Sequence, residues 1–128
     1  MIYLDTSVAL AQLLSEDIVP PPALWDEPLV SSRLLEYELW TRLHARSLER
    51  SHGAHARALL DRVAMLELSP PVLARALEPF PTAVRTLDAL HLSSAEFLRA
   101  KLPSLTLATY DDRMRVAAQR LSLTLFPL

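Results

Sequence analysis

Five short apolar runs alternate along this chain with segments of helical pattern, and two of those runs end at aspartates. Residues 1–5, 29–32, 66–68, 105–109 and 123–126 read as strands, each brief, rich in aliphatic residues and bounded by Pro, Ser, Asp or Thr. Residues 6–14, 33–47, 51–65, 72–77, 86–100 and 112–121 read as helices, with one further helical turn around Leu24 and Trp25. Thr6 or Ser7 and then Ser32 offer N-caps. Prolines at 20–22, 70–71, 79 and 81 punctuate loops and do not divide domains. Strands separated by helices need crossover connections, so the expected fold class is α/β with a mostly parallel sheet, in one domain spanning residues 1–128.

Composition narrows the function classes. A length of 128 residues with a hydrophobic fraction of 51% supports a compact core without staples. No cysteine is present, which excludes disulfides and thiolate metal sites. Asp5 interrupts the first apolar run, no basic segment precedes it, and no stretch approaches the roughly 20 apolar residues of a membrane span. The expectation is a cytoplasmic protein without membrane attachment. A net charge of −2 rules out grip on nucleic acid by bulk charge, so any such contact is local.

The acids carry the chemistry. In an open parallel sheet, ligands bind outside the carboxyl ends of the strands where strand order reverses. Asp5 and Asp111 both stand at such ends, and Asp88 opens a later helix from which it can lean into the same crevice. Separately, each has an ordinary structural role available: Asp5 and Asp111 as helix caps, Asp88 as a favourable charge at a helix N-terminus. Together, with two of them ending apolar strands, they point to a shared site for a hard divalent cation, which takes oxygen ligands and commonly serves phosphate chemistry. Glu38 lies in the first long helix, where it either joins that site or pairs with Arg42; Glu36 competes for the role or pairs with Arg33. Asp112 faces outward or holds a weaker cation through water.

Several other residues flank these acids. Thr6, Ser7 and Thr109 carry hydroxyls able to orient the carboxylates. Arg85 and Arg113 lie near Asp88 and Asp111 and are candidates for phosphate contact. Arg42, Arg46 and Arg50 fall at four-residue spacing, as a phosphate-tracking ridge or a solvated charged face. His91, one turn after Asp88, is expected to be packed and hydrogen-bonded rather than a ligand. His52 and His55 share a helix face without a third ligand, and read as a solvated pair.

With these residues in view, the chain resembles the PIN-domain family, and within it the VapC-type toxin ribonucleases of type II toxin–antitoxin systems. Leu4-Asp5-Thr6-Ser7 resembles the first motif of that family. The segment 29–39 resembles the one carrying its glutamate, in a register that falls on Glu38. Residues 85–92, with Asp88 and His91, resemble the third motif, and Thr109-Tyr110-Asp111 followed by Arg113 the fourth. The usual glycine before the last strand is absent, and Ser122 stands there.

The resemblance implies a three-layer α/β/α sandwich, RNA cleavage dependent on Mg2+ with Mn2+ as a substitute, a homodimer, and a cognate antitoxin protein that covers the site. Asp5, Glu38, Asp88 and Asp111 would be both the metal-holding and the catalytic residues. Hydrolysis by an activated water would leave a 3′-hydroxyl and a 5′-phosphate. The alternative is a PIN-like module of weak catalytic power that acts mainly by binding another protein.

Overall fold

The computed structural model describes residues 1–14 and 17–128. Its five strands are β1 (Ile2–Leu4), β2 (Leu29–Ser32), β3 (Val63–Leu66), β4 (Thr106–Ala108) and β5 (Thr124–Leu125). The helices are α1 (Thr6–Leu14), α2 (Leu34–Ala45), α3 (Glu49–Asp61), α4 (Pro70–Ala76), α5 (Thr86–Lys101) and α6 (Asp112–Arg120), with a 3-10 turn at Pro22–Asp26. The strands form one sheet in the order β3-β2-β1-β4-β5, and every neighbouring pair is parallel. The chain winds outward from β1 in one direction, then returns to β4 on the other side. Strand order therefore reverses between β1 and β4, where a crevice opens at the carboxyl ends.

Side-chain alternation along the strands divides the core into two layers. Ile2, Leu4, Leu29 and Ala108 pack with Val8, Leu35, Leu39, Leu43 and Ala56 from α1, α2 and α3. Tyr3, Val30 and Leu107 pack on the opposite face with Leu92 and Ala95 of α5 and Met114, Ala117 and Ala118 of α6. The result is the expected α/β/α sandwich. Leu35, Leu39 and Leu43 repeat every four residues and are fully buried. At about 1.5–3 kcal/mol for each buried leucine, this stripe fixes the rotation of α2 and hence where Glu38 points. Among the described residues, no helix is long and apolar enough to cross a membrane.

Two expected boundaries move. The third strand is Val63–Leu66 rather than 66–68, and it takes the end of the helix expected over 51–65. Val63 through Leu66 align with Leu29 through Ser32, so pairing to β2 overrides local helical preference. Arg50 does not continue the stripe of Arg42 and the C-capping Arg46. The α2 helix ends at Ala45, Ser47 takes a left-handed conformation (φ 55°), and Arg50 belongs to α3.

Candidate active site

Asp5 follows β1 directly and is buried. Its Oδ2 accepts from Ser7 Oγ (2.6 Å), Thr109 Oγ1 (2.7 Å) and, more weakly, Ser7 N (3.4 Å). These bonds knit the β1 and β4 ends together, because Ser7 Oγ also accepts from Tyr110 N and Thr109 Oγ1 from Asp111 N. The hydroxyls of Ser7 and Thr109 thus orient the carboxylate. Asp111 lies three residues beyond β4 and caps α6: its Oδ1 accepts from Arg113 N (2.9 Å) and Met114 N (3.3 Å). Asp88, in the first turn of α5, accepts from Arg85 N through Oδ2 (3.3 Å). Each ordinary capping role is therefore real, and each uses one carboxylate oxygen.

Glu38 does not pair with Arg42. Its Oε1 accepts from Thr6 Oγ1 (2.9 Å) and lies 2.6 Å from His91 Nε2. Glu36 instead pairs with Arg33 (3.1 Å) on the exposed side of α2. Among the described residues, the second oxygen of each of the four acids has no hydrogen-bond donor.

All four acids line a single cavity of about 460 Å³, together with Thr6, Ser7, Leu10, Arg42, Arg85 and His91. Their charges act on one another. Burial raises the Asp88 carboxyl above its ordinary range, the Arg85 N–H opposes this, and the charges of Asp111 and Asp5 push it up further. Burial disfavours a charged His91, yet the bond to Glu38 and the charges of Asp5 and Asp88 prevail, so its pKa lies above the ordinary value for histidine.

Among the described residues, no three His, Asp or Glu side chains stand close enough to close a cage around an ion. The donor set still fits a hard divalent cation. It is all oxygen, one oxygen of each acid lacks a protein donor, and magnesium is usually held by one or two carboxylates while keeping several waters.

The remaining candidates fall at several places around the fold. Arg85 lines the cavity, whereas the Arg113 side chain is exposed and does not line it; its contribution is the backbone N–H to Asp111. Asp112 is exposed in the first turn of α6. Arg42 reaches the cavity although Arg50 belongs to another helix. His52 and His55 border a separate cavity of about 700 Å³, and His52 Nδ1 lies 2.7 Å from Ser51 Oγ. His91 is buried and hydrogen-bonded as expected, but its partnership with Glu38 has no sequence signal: the two are 53 residues apart, on different helices.

A parallel α/β sheet with acids lining one crevice at its reversal point defines a class of ligand-binding sites, and the comparisons agree on the family. A PIN-domain profile matches residues 2–119, and the chain belongs to the PIN-domain family. Within that family it is similar to proteins of Mycobacterium tuberculosis. It shares 34% identity over 121 residues with ribonuclease VapC47 of strain CDC 1551 / Oshkosh, covering 89% of this chain and 87% of that one. It shares 36% over 126 residues with ribonuclease VapC46 of strain ATCC 25618 / H37Rv, covering 95% and 93%, and 34% over 130 residues with ribonuclease VapC35, covering 96% and 93%.

Proposed function

We propose that this chain is a divalent-metal-dependent endoribonuclease, working as one PIN domain and as the toxin of a toxin–antitoxin pair in the cytoplasm. The observation that carries the reading is the convergence of Asp5, Glu38, Asp88 and Asp111 on one cavity at the β1/β4 reversal, each with an oxygen left over. Similarity to proteins named VapC ribonucleases adds RNA as the substrate class.

Asp5, Asp88, Asp111 and Glu38 would hold Mg2+ or Mn2+. Such a cation, when bound, acidifies a water and stabilises charge developing on phosphate oxygens. The protein supplies the rest. Ser7 and Thr109 hold Asp5 in one orientation, and the α6 cap does the same for Asp111. Arg42 and Arg85, at the cavity wall, are placed to take up the negative charge of an RNA backbone. Glu38, held by Thr6 and His91, is placed to orient the attacking water or the ion. A cognate antitoxin and a second copy of the chain are the proposed protein partners; Leu77, Tyr37, Val19 and Ile18, each more than half exposed, provide apolar surface for them.

The test is cleavage of RNA by purified protein in Mg2+ or Mn2+. We expect 5′-phosphate and 3′-hydroxyl products, abolition by EDTA, and loss of cleavage in Asp5→Asn and Asp111→Asn. Manganese should also raise Tm in the wild type and do so far less in Asp5→Asn. Cleavage indifferent to EDTA and to both substitutions would overturn the assignment. Protein binding without cleavage by the wild type would establish the interaction module instead.

A further inference from the structure

The buried pair behind Glu38 asks for a role. His91 is 2% exposed and Tyr3 is fully buried, and each carries polar atoms into the interior. The two rings meet edge to face with centroids 5.9 Å apart, and Tyr3 Oη lies 2.8 Å from His91 Nδ1. Tyr3 Oη also accepts from Ser32 N (3.1 Å), at the carboxyl end of β2. On the other side of the imidazole, Nε2 lies 2.6 Å from Glu38 Oε1 and 3.4 Å from Thr6 Oγ1. A continuous path runs from a backbone N–H of the sheet, through a phenol and an imidazole, to a carboxylate that lines the cavity.

The donor and acceptor rules fix the sense of the step that reaches Glu38. An ionised carboxylate only accepts, so His91 Nε2 carries a hydrogen and donates it to Glu38. Ser32 N–H only donates, so it occupies one lone pair of Tyr3 Oη; toward a neutral imidazole the phenol donates to Nδ1, toward an imidazolium it accepts Nδ1–H, and Nε2–H faces Glu38 in both. Glu38 Oε1 then receives two donors, Nε2 of His91 and Oγ1 of Thr6. Two fixed donors on one oxygen set the plane of the carboxylate and leave Oε2 for the cavity.

We propose that His91 is a positioning residue for the metal site, holding Glu38 by an Nε2–H hydrogen bond whose direction is set by Tyr3 and the backbone of β2. This inference rests on the proposed metal-dependent reading of the cavity. The histidine is not among the proposed ligands; it acts through Glu38. Its effect lies in how well the four acids receive a cation, and substitutions one layer behind a metal ligand lower metal affinity or activity by about 10–100-fold.

Three variants and one spectrum test it. His91→Leu removes both ring nitrogens, His91→Gln restores a single N–H donor toward Glu38, and Tyr3→Phe deletes only the phenol oxygen. Manganese affinity is read from the Mn2+ dependence of Tm, and kcat and KM from RNA cleavage. We expect H91L to weaken manganese affinity about 10–100-fold with KM for RNA unchanged, H91Q to recover part of the loss, and Y3F to fall between wild type and H91L. Long-range 1H–15N correlation on metal-free wild type should show a protonated Nε2 on His91. No manganese-dependent shift in the wild type would overturn the metal reading, and the inference with it. A wild type that responds while Y3F and H91L respond equally well, or a His91 with bare Nε2, would overturn the inference alone. Should H91L fail to fold, Y3F and the spectrum still decide.

Discussion

Thr109→Val replaces one hydroxyl with a methyl at a position that is 1% exposed, keeping the β-branched shape. That hydroxyl does two things: it donates to Asp5 Oδ2 at 2.7 Å and accepts from Asp111 N at 3.0 Å. A hydrogen bond to a charged group contributes about 1.5–3 kcal/mol, and an N–H left without an acceptor costs about 1–3 kcal/mol. Part of the first loss is offset, because Ser7 Oγ still donates to Asp5 Oδ2 at 2.6 Å. We therefore expect T109V to lose about 2–3 kcal/mol of stability in EDTA. In urea, with a slope near 2 kcal/mol per molar, the midpoint should fall by roughly 1–1.5 M at unchanged slope. Thr109→Ser is the control: it keeps the hydroxyl and deletes one buried methyl, worth about 0.8 kcal/mol. The bond-based account predicts that valine is the more damaging of the two. If serine proves equal or worse, packing rather than hydrogen bonding at the β4 end holds Asp5, and the reasoning is refuted.

Asp88→Asn should reverse its effect with metal. A raised carboxyl pKa means stability fully present below the unfolded value of about 3.9 and lost as pH rises through the folded one, so in EDTA at pH 7 D88N should be the more stable, by only ~0.3 kcal/mol after solvent screening at this partly exposed side chain, the gain fading near pH 4. With manganese added the wild type should become the more stable, and a D88N that is less stable in EDTA as well would contradict the charge crowding. Ser122 sits at φ 60°, left-handed backbone that disfavours a side chain by about 1–2 kcal/mol. Since glycine adds about 0.5–1 kcal/mol of unfolded-state entropy, Ser122→Gly should raise stability by about 0.5–1 kcal/mol in a urea titration; destabilisation would show that the serine makes a compensating contact. Burial drives the Tyr3 phenol far above its ordinary 10.0, against the neighbouring hydroxyls of Ser31 and Ser94 and the Ser32 N–H bond. Its stability contribution is intact below that value and lost above it, so ultraviolet titration should show at most two of the three tyrosines ionising before alkaline unfolding.

The fold was legible where pattern and pairing agree. The runs that became β1, β2 and β4 are apolar and bounded, and the sheet places β1 beside β4 at the reversal, as strand-end acids require. The third strand was legible only in existence. Residues 63–66 continue a helical pattern until β2 offers them a ladder, and that competition is decided by tertiary pairing, which local sequence does not record. Ser122 shows the converse. The missing glycine was visible as a departure from the family pattern, and the structure gives it a backbone cause, φ 60° just before β5.

The site was legible in proportion to how closely each residue is tied to a strand end. Asp5 and Asp111 follow from topology, because a parallel sheet sends all its carboxyl ends to one side. Asp88 follows from a helix N-terminus that faces that side. Glu38 has no such tie. On a helix with 3.6 residues per turn, Glu36 and Glu38 project about 200° apart, so at most one of them enters a given crevice. Both flank the buried stripe of Leu35, Leu39 and Leu43, one on each side. Which flank faces the cavity depends on where α5 lies, since His91 of that helix receives Glu38 while Arg33 holds Glu36 outside. The acid least readable from sequence is thus the one whose placement depends on a partner 53 residues away, and the role proposed for His91 and Tyr3 follows from that dependence.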